Sequence, residues 1–257
     1  MKDTNVINEK LIDECLKKAK IEKWDYDFGK RLWLSDFSKI NKRIEMIGFS
    51  NHDHVIDAGS GFGQWTYALS AINKSITCIE LDSKRVEFCS ILFEKLGIKN
   101  VQFINNKIDA KDLQIPQANA IFSYSVLYLT DYKASLKNFT KWLKKDGLLY
   151  INSNDIGWYF YNLANDHNSN KNFSSKKMAA DVLYNTLNAL KQGNFKPGQP
   201  YPIARKDVLA QLKSHGFNTI SSGADGSANI VDDSILPFFI DKFLDYEAVY
   251  EVYSQKS

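Results

Sequence analysis

The chain has 257 residues, 44% of them hydrophobic, and 33 basic against 30 acidic side chains leave a formal net charge of +3. That length holds one α/β domain with a sizeable insertion, and the near balance of charge provides no overall footprint for nucleic acid or an anionic membrane. Three cysteines, Cys15, Cys78 and Cys89, lack metal-ligand spacing and are odd in number, which argues against a disulfide framework and for buried small hydrophobes.

Residues 5–19 carry Ile7, Leu11, Ile12, Cys15 and Leu16 at helical spacing, an amphipathic helix rather than a secretory signal. No apolar run approaches the length of a membrane span, so a cytoplasmic protein is expected. The stretch 24–34 is unusually aromatic, with Trp24, Tyr26, Phe28 and Trp33, and reads as a packing staple for the domain edge. A further helix is expected over 37–47. His52, Asp53 and His54 then enter a strand with nothing nearby to complete a ligand set, so no metal is expected.

The organising stretch is 55–63, Val-Ile-Asp-Ala-Gly-Ser-Gly-Phe-Gly, followed by a helix-compatible segment. It reads as strand, tight turn and helix, the first βα unit of an open parallel sheet. Gly59, Gly61 and Gly63 give G-x-G-x-G, which fits neither the dinucleotide fingerprint nor a Walker loop. Asp57 just before them disfavours a phosphate and suits a cationic amino group. Here the chain resembles the class I S-adenosylmethionine-dependent methyltransferases, whose first motif is acid-x-G-x-G-x-G. The resemblance implies that Asp57, Gly59, Ser60, Gly61 and Gly63 hold the methionine end of the cofactor. It also implies a Rossmann-like open sheet, mostly parallel with an antiparallel edge strand and helices on both faces. The aromatic N-terminal segment becomes a lid under that resemblance. Tyr26 or Trp24 would face the sulfonium or a substrate, and Arg31 a carboxylate.

The second strand, 75–80, ends in Glu80, about 20 residues beyond the glycines, where an acid can accept hydrogen bonds from both ribose hydroxyls. Leu81 follows it beside the nucleoside, while Asp82 or Ser83 is expected to cap the next helix. After a third strand at 101–104, Asp109, Ala110 and Leu113 fit the family's adenine-recognising loop, with Ile108 or Ala110 against the purine. Residues 118–124 form the fourth strand, with Asn119 where the family usually has aspartate. Ser125 at its end is placed to touch the cofactor, and Tyr128 falls where many relatives have a histidine near the transferred methyl. A helix from Thr130 closes at Gly147 as a C-terminal stop, and 148–152 is the fifth strand.

The chain divides, within one domain, into a lid (1–50), a cofactor-binding core (51–152), an insertion (153–203) and a C-terminal core (204–257). The insertion is longer than ordinary loops and reads as a substrate cap with a helix around 179–190. Asn152, Asn154 and Trp158 are its candidate substrate contacts. His167, with Tyr128 and Asp155 behind it, is the candidate general base. Material for the antiparallel strand comes from 238–240 and 248–253. The expected activity is methyl transfer from S-adenosylmethionine, leaving S-adenosylhomocysteine, to a small polar acceptor. A sugar or nucleotide-sugar hydroxyl is the first choice, and a small amine or phospho-amine the alternative. Neither nucleic acid nor a membrane is expected as partner. A reading of another class is a non-catalytic adenosyl-ligand-binding protein.

Overall fold

The computed structural model describes residues 7–193, 196, 199–232 and 234–257. Three helices come first, α1 (Glu9–Lys18), α2 (Lys23–Trp33) and α3 (Phe37–Met46). Strands and helices then alternate through β1 (Val55–Ala58), α4 (Gln64–Ile72), β2 (Ile76–Glu80), α5 (Ser83–Lys95) and β3 (Val101–Asn105). After β4 (Ala118–Tyr124) come a 3-10 turn at Leu127–Leu129, α6 (Tyr132–Trp142) and β5 (Leu143–Asn154). The expected insertion contains α7 (Ile156–Asn165) and α8 (Ser175–Gln192). The chain finishes with α9 (Arg205–Ser214), β6 (Phe217–Ala224), a hairpin of β7 (Lys242–Phe243) and β8 (Tyr246–Glu247), and β9 (Val249–Lys256).

Six of the described helices begin where a short polar side chain satisfies a first-turn N–H group. Asn8 caps α1, Asp36 caps α3, Asp82 caps α5, Asp131 caps α6, Asp155 caps α7 and Ser174 caps α8. The end of α6 differs from expectation. It stops at Trp142, Asp146 takes the left-handed conformation at φ 61°, and Gly147 is not the stop. Gly147 is demanded by crowding instead, since a Cβ there would lie 2.9 Å from the Lys144 carbonyl oxygen and 3.2 Å from that of Asn119. Asn119 itself closes the entry to β1, its side-chain oxygen accepting the His54 N–H at 3.1 Å.

The seven-stranded sheet has the order β3, β2, β1, β4, β5, β9, β6. All pairings from β3 to β5 are parallel, and β9 runs antiparallel to both of its neighbours. The antiparallel strand therefore lies one position in from the edge, between β5 and β6. Residues 238–240, expected to contribute to it, are irregular. The strand side chains alternate between two cores, as a period of two requires. Ile56, Ile121 and Leu149 pack with Phe139, Trp142 and Leu212 of α6 and α9, whereas Val55, Phe122 and Tyr150 pack with Ile44 and Leu69 of α3 and α4. A third cluster joins α1, α2 and α5 to Phe62 of the glycine turn. Among the described residues no helix is long and apolar enough to cross a membrane.

Candidate active site

Strand order reverses between β1 and β4, and in an open sheet the crevice beyond the carboxyl ends at such a reversal is where ligands sit. Asp57 and the glycine turn lie at one side of it, Ser125 at the other. The Asp57 carboxylate is only 2% exposed and accepts a hydrogen bond from the Thr66 hydroxyl at 2.6 Å. Burial, helped by the charge of Glu80, pushes its pKa up to about 7. Ser60 is buried, with its N–H on the Ile79 carbonyl at 3.2 Å. Gly59 has φ 84°, and a Cβ on it would sit 2.4 Å from Val126 beyond β4, so the turn and the β4 end touch there. Gly61 has φ 56°, and a Cβ built on it would meet nothing within 4 Å.

Glu80 secures the other half of the crevice. Its two oxygens accept the Gly61 and Asp82 N–H groups, each at 2.9 Å, which fixes the carboxylate beside the turn with lone pairs left for further donors. Asp82 is the helix cap, accepting from the Lys84 and Arg85 N–H groups. Leu81 is 60% exposed at the mouth of the crevice. Beyond β3, Asn138 donates to the carbonyls of Ile108 and Ala110, both at 2.9 Å, and so shapes the loop expected to meet adenine. Asp109 turns its carboxylate onto the Asp131 N–H at 3.0 Å.

At the end of β4, Ser125 has φ 53°, and its N–H and hydroxyl both bond Asn152 at 3.0 Å. Asn152 is fully buried and spends its amide on Asp225 at 2.9 Å, so the expectation that it contacts substrate is corrected to an internal link. Tyr128 lies beside Asn154, which also adjoins Tyr159, and burial pushes the Tyr128 phenol up to about 12. Trp158 stands in an aromatic group, 5.9 Å from Tyr161, 6.0 Å from His167 and 5.3 Å from Phe239.

The three candidate catalytic groups do not form one hydrogen-bonded set among the described residues. His167 has the Tyr161 hydroxyl 3.5 Å from its Nδ1, while its neighbour Asp166 turns away to cap the start of α8 through the Lys176 N–H. Asp155 accepts the Ile156 N–H at the opposite end of α7, and burial pushes its pKa up to about 6.

The lid residues are also redistributed. Tyr26 donates to Asp13 of α1 at 2.9 Å, so it faces α1 and not the crevice. Arg31 is exposed, its guanidinium 5.5 Å from the Phe28 ring centre. On α2 the buried face carries Gly29 and Trp33; Tyr26 lies on that same face, against α1, and Arg31 on the opposite one. The crevice-side contacts of α2 come from Asp25, whose carboxylate takes the Arg85 guanidinium through two bonds of 3.3 and 2.7 Å. Trp24 stacks on Phe28 and reaches Phe173, and Asp27 accepts from Asn172 at 2.8 Å. Sequence reasoning passed over Thr66, Asn138 and Asp225. Thr66, three residues beyond Gly63 on the first turn of α4, is the one with a local signal.

Residues 49–207 match the family described as methyltransferase domain. A curated relative, the ribosomal RNA small subunit methyltransferase A of Malacoplasma penetrans, is 30% identical over 103 residues, 40% of this chain and 35% of that protein. The chain thus spans about a third of the length of the relative it matches, at 35%. A solved S-adenosylmethionine-dependent methyltransferase from Clostridium acetobutylicum superposes with a TM-score of 0.59 at 13% identity, covering 87% of this chain and 93% of that one. The N-methyltransferase NodS from Bradyrhizobium japonicum, in complex with S-adenosylhomocysteine, gives 0.54 at 13% identity over 96% and 98% of the two chains. At those identities the likeness to the solved structures is one of fold.

Proposed function

Because the chain belongs to the methyltransferase-domain family, whose methyl donor is S-adenosylmethionine, we propose that it methylates a small polar acceptor, a sugar or nucleotide-sugar hydroxyl, beside Ser125 and Trp158. The observation that carries the reading is the pair of carboxylates at neighbouring strand ends, Asp57 and Glu80, joined through the Gly61 turn. Asp57 takes the amino end of the cofactor and Glu80 the ribose. Leu81, Asp109 and Ala110 flank the adenine, and the open space beside Gly61 lets the ligand approach the turn closely. When bound, S-adenosylmethionine supplies an electrophilic methyl carbon.

The chain's own part is to hold the acceptor and take its proton. Positioning of reactants is worth roughly 7–11 kcal/mol of barrier. A hydroxyl acceptor also needs a base, which adds 10²- to 10⁴-fold. His167 is the proposed base because it lies in the aromatic group of Trp158 and Tyr161, where a sugar ring can stack. Tyr128, with its phenol pushed up to about 12, stays protonated at neutral pH and serves as a donor. Asp155, pushed up to about 6, is the alternative base from the other end of α7. The insertion bearing α7 and α8 acts as the cap. A net charge of only +3 supports a small molecule over an RNA track, despite the ribosomal RNA methyltransferase among the relatives.

A second reading, N-methylation of a small amine, is favoured by the same rings, since an aromatic wall attracts a cationic group. A screen for S-adenosylhomocysteine release against sugar nucleotides and amines decides between them. With the acceptor found, His167→Asn lowers kcat by roughly 10²-fold or more for a hydroxyl and leaves an amine acceptor nearly unaffected. No release from any acceptor, with cofactor bound, contradicts the enzymatic reading.

A further inference from the structure

Asp225 stands just past β6, outside the span matched by the family, residues 49–207. It is 2% exposed, and each of its oxygens serves a different part of the fold. Oδ1 accepts from Arg43 of α3 at 3.1 Å and from the Asn152 amide at 2.9 Å. Oδ2 accepts the backbone N–H groups of Phe238 and Phe239 at 2.5 and 2.9 Å. Those two phenylalanines lie in irregular chain between β6 and β7, where no ladder is present to satisfy their N–H groups. The carboxylate does so instead, and a charged acceptor makes such bonds stronger than neutral ones.

Each branch reaches the crevice. Through Asn152 the carboxylate is linked to the hydroxyl of Ser125 at the β4 end. Through Phe239 it reaches Trp158, whose ring is met edge-on at 5.3 Å, and Tyr124 at 6.4 Å. Arg43 is fixed on its far side by Glu251 and the Leu236 carbonyl, and its guanidinium lies 4.9 Å from the Phe238 ring. The donors are thus held from three separate elements, and the carboxylate cannot turn without losing several bonds.

We propose that Asp225 is a positioning residue that ties the Phe239 and Trp158 wall to Ser125, so that one buried carboxylate sets the acceptor side in register with the cofactor side. The proposal rests on the reading of Trp158 as part of the acceptor side. It assigns acceptor recognition in part to residues beyond the family span. Asp225→Asn puts an amide NH₂ where an acceptor oxygen stood, facing either the Arg43 and Asn152 donors or the two backbone N–H groups.

The test compares the tryptophan emission of the chain with that of Trp158→Phe, in the Asp225 and the Asp225→Asn backgrounds, with S-adenosylhomocysteine binding measured by calorimetry in each. The expected result is a red shift of the Trp158 component in Asp225→Asn, with S-adenosylhomocysteine still bound but more weakly, because Asp225 and Ser125 share one hydrogen-bonded network. An unshifted Trp158 component in a folded Asp225→Asn overturns the proposal, because a purely stabilising role leaves that ring where it is. Hydrogen exchange on the unmodified chain is a second measurement that needs no variant. The Phe238 and Phe239 amides should be protected in spite of their irregular backbone, and exchange at exposed-loop rates overturns the clamp. Failure of the unmodified chain to bind S-adenosylhomocysteine would instead count against the methyltransferase reading, with the emission and exchange results still deciding the clamp.

Discussion

Thr66 donates its hydroxyl to Asp57 at 2.6 Å, the one side-chain hydrogen bond that this buried carboxylate receives among the described residues. One donor does not offset burial and a second carboxylate nearby, and the Asp57 pKa accordingly moves from 3.8 to about 7. Ionised, Asp57 costs the fold stability, a cost that a cationic ligand group would offset under the proposed reading.

The first prediction concerns stability and binding moving in opposite directions. A raised folded-state pKa means that the native chain binds more protons than the unfolded one between 3.8 and about 7, so this group's contribution to stability falls as pH rises through that window. Asp57→Asn removes the dependence. It should raise the melting temperature at pH 8 and lower S-adenosylmethionine affinity by roughly tenfold or more, the scale of a hydrogen bond to a charged group. Thermal melts from pH 4 to 8 and calorimetry check both halves.

Proton release is the second. A cationic amino group binds the ionised form of Asp57, so S-adenosylmethionine binding at pH 6 should release a proton and weaken further as pH falls. Calorimetry in two buffers of different ionisation enthalpy reads the proton directly. A heat independent of buffer would place the amino end elsewhere.

The glycine turn supplies a third, contrasting pair. Gly59→Ala drives a Cβ to within 2.4 Å of Val126 at φ 84°, so it should lower stability by more than about 1 kcal/mol, the cost of the left-handed backbone alone. Gly61→Ala, at φ 56° with nothing within 4 Å, should lose only about that 1 kcal/mol of stability, yet bind S-adenosylhomocysteine much more weakly. Melting curves and titrations on the two variants separate fold from ligand approach.

The fourth addresses the hold on α2. Arg85 grips Asp25 with two bonds, and its guanidinium also lies 4.9 Å from Phe62 in the glycine turn. Arg85→Lys keeps the charge and loses the fork. Hydrogen exchange over α2 should rise, with α5 unchanged and overall stability lowered by at most about 1 kcal/mol. Unaltered protection of α2 would show that the pair does not fasten that helix.

The sequence was legible where cause is local. The acid, the glycines and the cap at Asp82 sit within a few residues of the elements they shape, and the strand end, turn and helix start form there. Asn119 remains a local hydrogen-bond acceptor although aspartate was the usual residue there. Direction was less legible. Tyr26 and Arg31 lie on α2, and which neighbour each faces depends on how α1 and α5 pack. The Arg43 and Asp225 pair was invisible because its members are 182 residues apart, and no spacing rule connects a basic residue in a helix to an acid beyond the sixth strand.

The most direct measurement is a crystal structure with S-adenosylhomocysteine bound. The account predicts the ribose hydroxyls on Glu80, the amino end on Asp57 and the sulfur facing the side where Ser125 and Trp158 lie. Electron density for the ligand anywhere other than the crevice between β1 and β4 would contradict it.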